Sequence, residues 1–227
     1  MMTTVPLETG AEARHTNGRA ELAAVLVNGG TSRAVRGTWS ATSELLAREL
    51  SQRFPEIRFV EVRYRTKSWK ALEWCMEDAA AAIDVAVAEG AGRCLLVGFS
   101  MGGAVSIGVA GLDAVWGVLG LSPWIPGRLS LDGLAGKRLD VLQGTLDRAL
   151  PGIPGISRAS SRAGFERARE LGVEGSYELI RGGLHGCAVR GPCGSLVRLP
   201  RWRAWVDGAA AGLERFQAAA GRRLRAS

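Results

Sequence analysis

Short apolar runs alternate along the chain with longer segments whose apolar positions recur at a helical period. The runs predict strands at residues 22–27, 58–64, 94–99, 115–121, 138–142 and 176–180. The longer segments predict helices at residues 40–53, 69–89, 101–110, 165–171 and 202–219. Alternating strands and helices are typical of a parallel sheet covered by helices on both faces. The pattern therefore predicts an α/β fold, a three-layer α/β/α sandwich whose mostly parallel sheet has about six strands.

The first part of the chain lacks this pattern. Residues 1–20 are polar and contain no apolar core of the kind that a secretory signal needs. We expect a disordered polar leader over residues 1–20 and a single domain over residues 21–220, in a cytoplasmic protein. No apolar run approaches the roughly 20 residues that a membrane-spanning helix needs, so we expect no membrane span.

The charge and the cysteine content change this picture little. The 227 residues carry a formal net charge of +7, which would suit an acidic partner such as nucleic acid. The arginines that supply most of this charge are scattered, however, so we expect no nucleic-acid partner. The 4 cysteines match no metal spacing, and a zinc site at His185, Cys187 and Cys193 would lack a fourth ligand. We expect no metal and, in a reducing cytoplasm, no standing disulfide.

A G-x-S-x-G motif follows directly from one of the predicted strands. Ser100 stands at its centre, between Gly98 and Gly102, and a segment rich in small residues continues from it. A sharp strand-to-helix turn of this kind exposes a serine hydroxyl and leaves no room for side chains two residues to either side. The context predicts that Ser100 is the nucleophile of a hydrolase.

A serine nucleophile needs a base within hydrogen-bond reach. The chain has 2 histidines, and His15 lies in the polar leader. His185 follows the last predicted strand, so it reaches the sheet edge at which Ser100 also lies. We predict that His185 is the base; the alternative is a solvated loop histidine.

The imidazole in turn needs a carboxylate partner. The candidates between the nucleophile and the base are Asp113, Asp132, Asp140 and Asp147. Asp113 and Asp140 precede or begin their strands and so lie at the wrong end of the sheet, while Asp132 follows a longer loop. Asp147 comes shortly after a strand end, and we predict that it orients His185. The alternative is that Asp147 caps a turn.

Two backbone amides are candidates for an oxyanion hole. Met101 follows the nucleophile and opens a helix, whose positive end favours an anion. Gly30 lies in the Asn-Gly-Gly-Thr loop after the first strand, although these glycines could serve a turn alone. Trp124, just past another strand end, is a candidate for the substrate pocket, as are Tyr64 and Arg65 with less support.

Four motifs together resemble those of the α/β-hydrolase superfamily, in particular of its small lidless serine esterases and dienelactone-hydrolase-like members. They lie at residues 98–103, 144–147, 182–185 and 28–30. Two departures stand out. Dienelactone hydrolases carry a cysteine where this chain has Ser100, and Asn28 replaces the histidine of the family's oxyanion loop. The opening antiparallel strands of larger members are expected to be absent.

This resemblance implies a serine hydrolase without metal or organic cofactor, acting on a small-molecule ester or thioester. Ser100 would attack, His185 would move the proton and Asp147 would orient it, through an acyl-serine intermediate. Residues 125–137 are too few for a lid domain, so we expect short or medium acyl chains. The alternatives are a thioesterase or acyltransferase with the same triad, and a non-catalytic scaffold that binds a ligand or partner.

Overall fold

The computed structural model describes residues 2–17, 20–148 and 155–224, with side chains in the last helix up to residue 220. The strands are β1 (Met2–Pro6), β2 (Glu12–Thr16), β3 (Leu22–Val27), β4 (Val35–Arg36), β5 (Ile57–Arg63), β6 (Thr66–Lys67), β7 (Arg93–Phe99), β8 (Val115–Leu121), β9 (Arg138–Gly144), β10 (Tyr177–Ile180), β11 (Ala188–Arg190) and β12 (Leu196–Arg198). The α-helices are α1 (Ala41–Arg53), α2 (Leu72–Ala88), α3 (Met101–Gly108), α4 (Arg158–Glu170) and α5 (Trp202–Leu224). Single 3₁₀ turns lie at Trp69–Ala71 and Asp132–Leu134.

Eight strands form the main sheet in the order β1-β2-β5-β3-β7-β8-β9-β10. The six from β5 to β10 in this order are parallel, and each coincides with one of the predicted strands. The predicted α/β sandwich is confirmed, with eight strands rather than about six. Because the strands are parallel, the segments that follow β3, β7, β8, β9 and β10 all leave from one edge of the sheet.

The two additional strands come from the polar segment at the start of the chain. β1 and β2 pair antiparallel, and β2 pairs antiparallel with β5. Every second residue of β2 is buried, Ala13 completely and His15 with 7% exposed, while Arg14 forms ion pairs with Glu44 and Glu61. An antiparallel strand with one partly solvated face needs few apolar residues, so the low hydrophobicity of this segment does not reveal β2 in the sequence.

The prediction of a disordered leader is therefore wrong for residues 2–17, and the expected absence of opening antiparallel strands is wrong too. Met1, Gly18 and Arg19 of that leader lie outside the described residues.

Helices cover both faces of the sheet. One core cluster contains Ile83 of α2, Val105 of α3 and Phe165 of α4. The other contains Leu45 of α1 and Trp205 of α5, which is fully buried. Successive residues of the central strands β3 and β7 alternate between the two clusters, so these two strands are apolar along most of their length, as parallel strands buried on both faces are.

Local signals set several helix ends. Ser40 caps α1, its hydroxyl accepting the Ser43 N–H at 3.2 Å. α4 begins earlier than predicted, capped in the same way by Ser157, because its first half has almost no apolar residues to reveal a period. The predicted helix from residue 69 begins with a 3₁₀ turn before α2.

The connection from β8 to β9 contains one 3₁₀ turn and no domain, as predicted. No helix within the described ranges combines the length and the apolar composition that crossing a membrane would require.

Asp140 begins β9 at the edge of the sheet opposite the G-x-S-x-G turn, where the sequence placed it. Its carboxylate accepts from Arg138 Nε at 3.0 Å, Arg215 Nε at 3.2 Å and the Ser176 N–H at 2.8 Å. Burial alone would raise the pKa of Asp140, but the hydrogen bonds from Arg138 and Ser176 and the charge of Arg215 outweigh it and hold the pKa below 3.8.

We expect Asp140→Asn to lower the free energy of unfolding near pH 7 by about 1–3 kcal/mol, because it removes a charged acceptor from the partly buried donors on Arg138, Arg215 and Ser176. A lowered pKa contributes stability above the unfolded value of 3.8, and that contribution is lost as the pH falls through the folded value. Urea unfolding at several pH values should therefore show the gap between wild type and variant closing in acid. A gap that persists unchanged at pH 2 would contradict this account.

Candidate active site

Ser100 lies at the junction of β7 and α3 in a strained backbone conformation. Its φ is +56° and its ψ is −119°, outside the regions that L-residues ordinarily adopt. Its N–H is held by the Leu121 carbonyl at 3.0 Å, and its carbonyl accepts from Gly103 and Trp124, both at 2.9 Å. Conformations of this kind cost on the order of 1–3 kcal/mol and persist where the surroundings fix them.

Crowding around this turn explains its glycines. A Cβ on Gly98 would lie 2.5 Å from the Gly102 carbonyl oxygen, and one on Gly102 would overlap the Val27 carbonyl oxygen. Both are backbone atoms that cannot move aside without displacing β3 or α3. The steric reason for glycine two residues before and after Ser100, inferred from the motif alone, is therefore present in the structure.

Asp147 and His185 meet where the loops after β9 and β10 converge. His185 Nδ1 lies 2.9 Å from Asp147 Oδ2. The Asp147 side chain is 0% exposed and that of His185 is 12% exposed. An ionised carboxylate only accepts hydrogen bonds, so Nδ1 carries the hydrogen and Nε2 presents a lone pair.

The imidazole packs directly beside the β7–α3 turn that carries Ser100. Its ring centroid is 4.9 Å from that of Phe99, the residue before Ser100. Gly186, with φ +85°, turns the chain so closely past Phe99 that a Cβ there would lie 2.9 Å from the Phe99 ring. The Ser100 hydroxyl and the imidazole are not hydrogen-bonded to each other in the part of the chain described here. Such contacts commonly tighten only when substrate is bound.

Asp147 has further donors that the sequence did not reveal. Gln143 Nε2 donates to Asp147 Oδ2 at 2.9 Å and to the Ile156 carbonyl at 3.1 Å. The Ile156 N–H donates to Asp147 Oδ1 at 3.1 Å. Gln143 is fully buried at the end of β9, so its amide fixes the carboxylate that faces His185. A buried glutamine near a strand end is the one signal that could have found it.

The two candidate oxyanion amides come from two segments that are in contact, the loop after β3 and the start of α3. The Met101 amide begins α3, and neither it nor the Gly30 amide donates to another protein group within the described ranges. A Cβ on Gly29 would lie 3.3 Å from the Ser100 Cβ, and one on Gly30 would overlap the Met101 sulfur. The glycines thus bring this loop against the nucleophile, which a simple turn would not require.

Trp124 is also at this edge, half-buried, with its N–H bound to the Ser100 carbonyl. Its ring stacks on Trp69 at 5.9 Å between centroids and 29° between planes. A Cβ on Gly30 would lie 3.1 Å from Trp69 Cδ1, so Trp69 flanks the oxyanion loop. Trp69 cannot be recognised as a site residue from the sequence, because it stands at the start of a predicted helical segment.

Tyr64 and Arg65 do not line this surface. Tyr64 is buried, and its hydroxyl donates to the Asn28 carbonyl at 2.9 Å. Burial raises the pKa of Tyr64 well above its ordinary value. Arg65 pairs with Glu77 and Asp78 of α2 and is not free to bind a substrate.

The cysteines take no part in the hydrogen bonds described above. All four are free thiols; Cys193 is exposed and Cys187 is buried, which raises the pKa of Cys187 to about 12. Within the described ranges, no three His, Cys, Asp or Glu side chains are grouped so as to hold a metal ion.

No protein-family model matches this sequence, and no curated protein matches it either. Solved structures match over nearly the whole chain. A sugar hydrolase from Lactococcus lactis has a TM-score of 0.71 and 16% identity, with 96% of this chain and 99% of that one covered. An α/β-hydrolase enzyme from a Medee basin deep-sea metagenome library has a TM-score of 0.70 and 16% identity, with 94% and 97% covered. A carboxylesterase from Lactobacillus plantarum has a TM-score of 0.68 and 15% identity, with 96% and 97% covered.

The chain has the α/β-hydrolase fold. The order of Ser100, Asp147 and His185 along the sequence is the order in which that fold presents nucleophile, acid and base. TM-scores of 0.68–0.71 establish the shared architecture, and because the identities are only 15–16%, chemistry and substrate must be argued from the residues themselves.

We expect the His185 Nδ1 proton to give a slowly exchanging ¹H resonance far downfield of the amide region, because it is held by a buried carboxylate. Asp147→Asn should abolish this signal in a one-dimensional NMR spectrum. Asp132→Asn is the matched control: Asp132 is an exposed aspartate from the same stretch of chain, and its loss should leave the signal in place. A signal that survives in Asp147→Asn would show that another group holds Nδ1.

Proposed function

We propose that this protein is a serine hydrolase that cleaves ester-like bonds of small or medium acyl substrates through an acyl-enzyme intermediate. The observation that carries the proposal is the buried hydrogen bond from His185 to Asp147, on an imidazole that packs against Phe99 next to the strained Ser100. A buried carboxylate is costly unless it is hydrogen-bonded or paired, and His185, Gln143 and the Ile156 N–H together meet that requirement for Asp147.

In the proposed reaction, a rotation of the Ser100 side chain brings its Oγ to His185 Nε2. His185 takes the hydroxyl proton as Oγ forms a bond to the acyl carbon, and the carbonyl π electrons move onto its oxygen. The amides of Gly30 and Met101 stabilise this oxyanion, which is the charge that develops in the transition state. Asp147 stabilises the imidazolium throughout.

The intermediate then collapses. The oxyanion re-forms the carbonyl, the bond to the leaving oxygen breaks, and His185 gives its proton to that oxygen, leaving the acyl group on Ser100. A water molecule repeats the sequence, its proton passing to His185 and then to Ser100 Oγ as the acid is released.

The surroundings of Ser100 support short or medium acyl chains. The β8–β9 connection provides no lid, and the Trp69–Trp124 stack gives a half-buried apolar surface beside the nucleophile. The similar structure from Lactobacillus plantarum is named a carboxylesterase, which agrees with cleavage of simple esters. A thioester would pass through the same steps, with sulfur as the leaving atom. A protein that only binds a ligand or partner would not require the strained conformation of Ser100 or the buried carboxylate of Asp147, so these two features favour an enzyme.

Labelling with a fluorophosphonate probe tests the nucleophile. Wild type should be labelled, Ser100→Ala should not, and kcat for an ester should fall by about 10⁵–10⁶ in that variant, as in other triads. Ser122→Ala is the matched control, because Ser122 is also buried and has a positive φ of 44°. Labelling that persists without Ser100, or is absent from the wild type, would overturn the proposal.

Acyl preference is a separate expectation. Wild type should hydrolyse p-nitrophenyl butyrate with a higher kcat/KM than p-nitrophenyl palmitate, because an open site without a lid buries little of a long chain. A clear preference for long-chain esters or triglycerides would contradict the assigned chain length while leaving the nucleophile untouched.

A further inference from the structure

Lys67 is a half-buried cation without an ionic partner. Its Nζ donates to Thr38 Oγ1 at 2.7 Å, and it takes part in no ion pair with any residue that the structure describes. Burial lowers the pKa of Lys67. A partly desolvated ammonium is unfavourable unless an anion faces it. An ammonium group has three donors, so two remain for a ligand.

The position of Lys67 ties it to the oxyanion loop. β4 and β6 form a two-stranded ribbon in which Val35 pairs with Lys67. The Thr31 hydroxyl lies 3.4 Å from the Lys67 carbonyl, and the Trp69 N–H donates to the Thr31 carbonyl at 3.1 Å. Lys67 is thus held next to the residues that follow Gly30.

A second contact reaches the same loop from the other side. The Asn28 side chain donates to the carbonyl of Thr38, whose hydroxyl binds Lys67 Nζ, at 2.7 Å. Asn28 precedes Gly29, whose Cβ position would be 3.3 Å from the Ser100 Cβ. The ammonium is therefore linked to the Ser100 turn through Thr38, Asn28 and Gly29.

The charge of this region is one-sided. Residues 28–40 and 64–71 contain no aspartate or glutamate, and their cations are Arg33, Arg36, Arg65, Lys67 and Lys70. Arg65 is neutralised by Glu77 and Asp78 of α2. The other four form no ion pair in the described part of the chain, and Arg33, Arg36 and Lys70 are exposed. Positive charges that surround a site raise the local concentration of anionic ligands.

We propose, on the basis of the hydrolase function proposed above, that the substrate carries an anionic group, a carboxylate or a phosphate, that binds Lys67 beside the oxyanion loop. The Trp69–Trp124 stack then contacts the apolar part of the substrate near the scissile bond. The anionic group of such a substrate would form the ion pair that Lys67 does not form with any residue the structure describes. The carboxylate source is an acyl chain that ends in an acid, and the phosphate source is a large leaving group such as coenzyme A.

Two matched substrate pairs test this and separate the sources. The first compares p-nitrophenyl butyrate with mono-p-nitrophenyl succinate, which adds a carboxylate to the acyl chain. The second compares butyryl-N-acetylcysteamine with butyryl-coenzyme A, which adds phosphates to the leaving group. We expect the anionic member of one pair to have a kcat/KM at least about tenfold higher at low salt, with the advantage shrinking as salt rises.

Variants assign the effect to this position. Lys67→Met should raise KM for the favoured anionic substrate about tenfold and leave the neutral partner nearly unchanged, because only one charge contact is lost. Lys67→Arg keeps the charge and should retain part of the preference, which excludes misfolding as the cause. Arg48→Gln is the charge-matched control, since Arg48 is exposed on α1, whose core lies on the other face of the sheet.

The outcomes are distinguishable. Equal kinetics within both pairs, or a Lys67→Met variant that weakens neutral and anionic substrates alike, would overturn the anionic-substrate inference while Ser100-dependent labelling stands. A wild type that reacts with neither the probe nor any of the four substrates would overturn the proposed function and this inference together.

Discussion

The hydrogen bond between His185 Nδ1 and Asp147 Oδ2, 2.9 Å long and almost closed to water, joins the loops that follow β9 and β10. It fixes which imidazole nitrogen carries the hydrogen and so which one can face Ser100. Gln143 and the Ile156 amide hold the carboxylate from its other sides. In the proposed mechanism, loss of this bond would leave the imidazole without a fixed orientation toward Ser100.

Parallel packing of the sheet is what makes this meeting possible. β7, β9 and β10 end at one edge, so their loops converge although the three residues lie up to 85 positions apart in sequence, from 100 to 185. The same close packing maintains the conformation of Ser100, because Gly98 and Gly102 allow β3, β7 and α3 to approach within backbone contact. The stability of the two cores therefore sustains a locally unfavourable turn.

The parallel strands and the site candidates were accessible from the sequence because they depend on local patterns. Apolar runs locate strands buried on both faces, and the rule that loops gather at strand ends selected Asp147 among four aspartates. Strand β2, which lies between β1 and β5, was not predicted because alternate residues on it are partly exposed or form ion pairs, as Arg14 does. The sequence does not reveal the roles proposed for Gln143, Trp69 and Lys67. These roles depend on contacts formed in the folded chain, which no local spacing of residues encodes.

The most direct measurement is a crystal structure of the protein after reaction with a small phosphonate that mimics the tetrahedral intermediate. The account predicts a covalent bond from Ser100 Oγ to phosphorus, the phosphoryl oxygen within hydrogen-bond distance of the Gly30 and Met101 amides, and His185 Nε2 within reach of Oγ. An adduct on another residue, or a phosphoryl oxygen directed away from both amides, would contradict it.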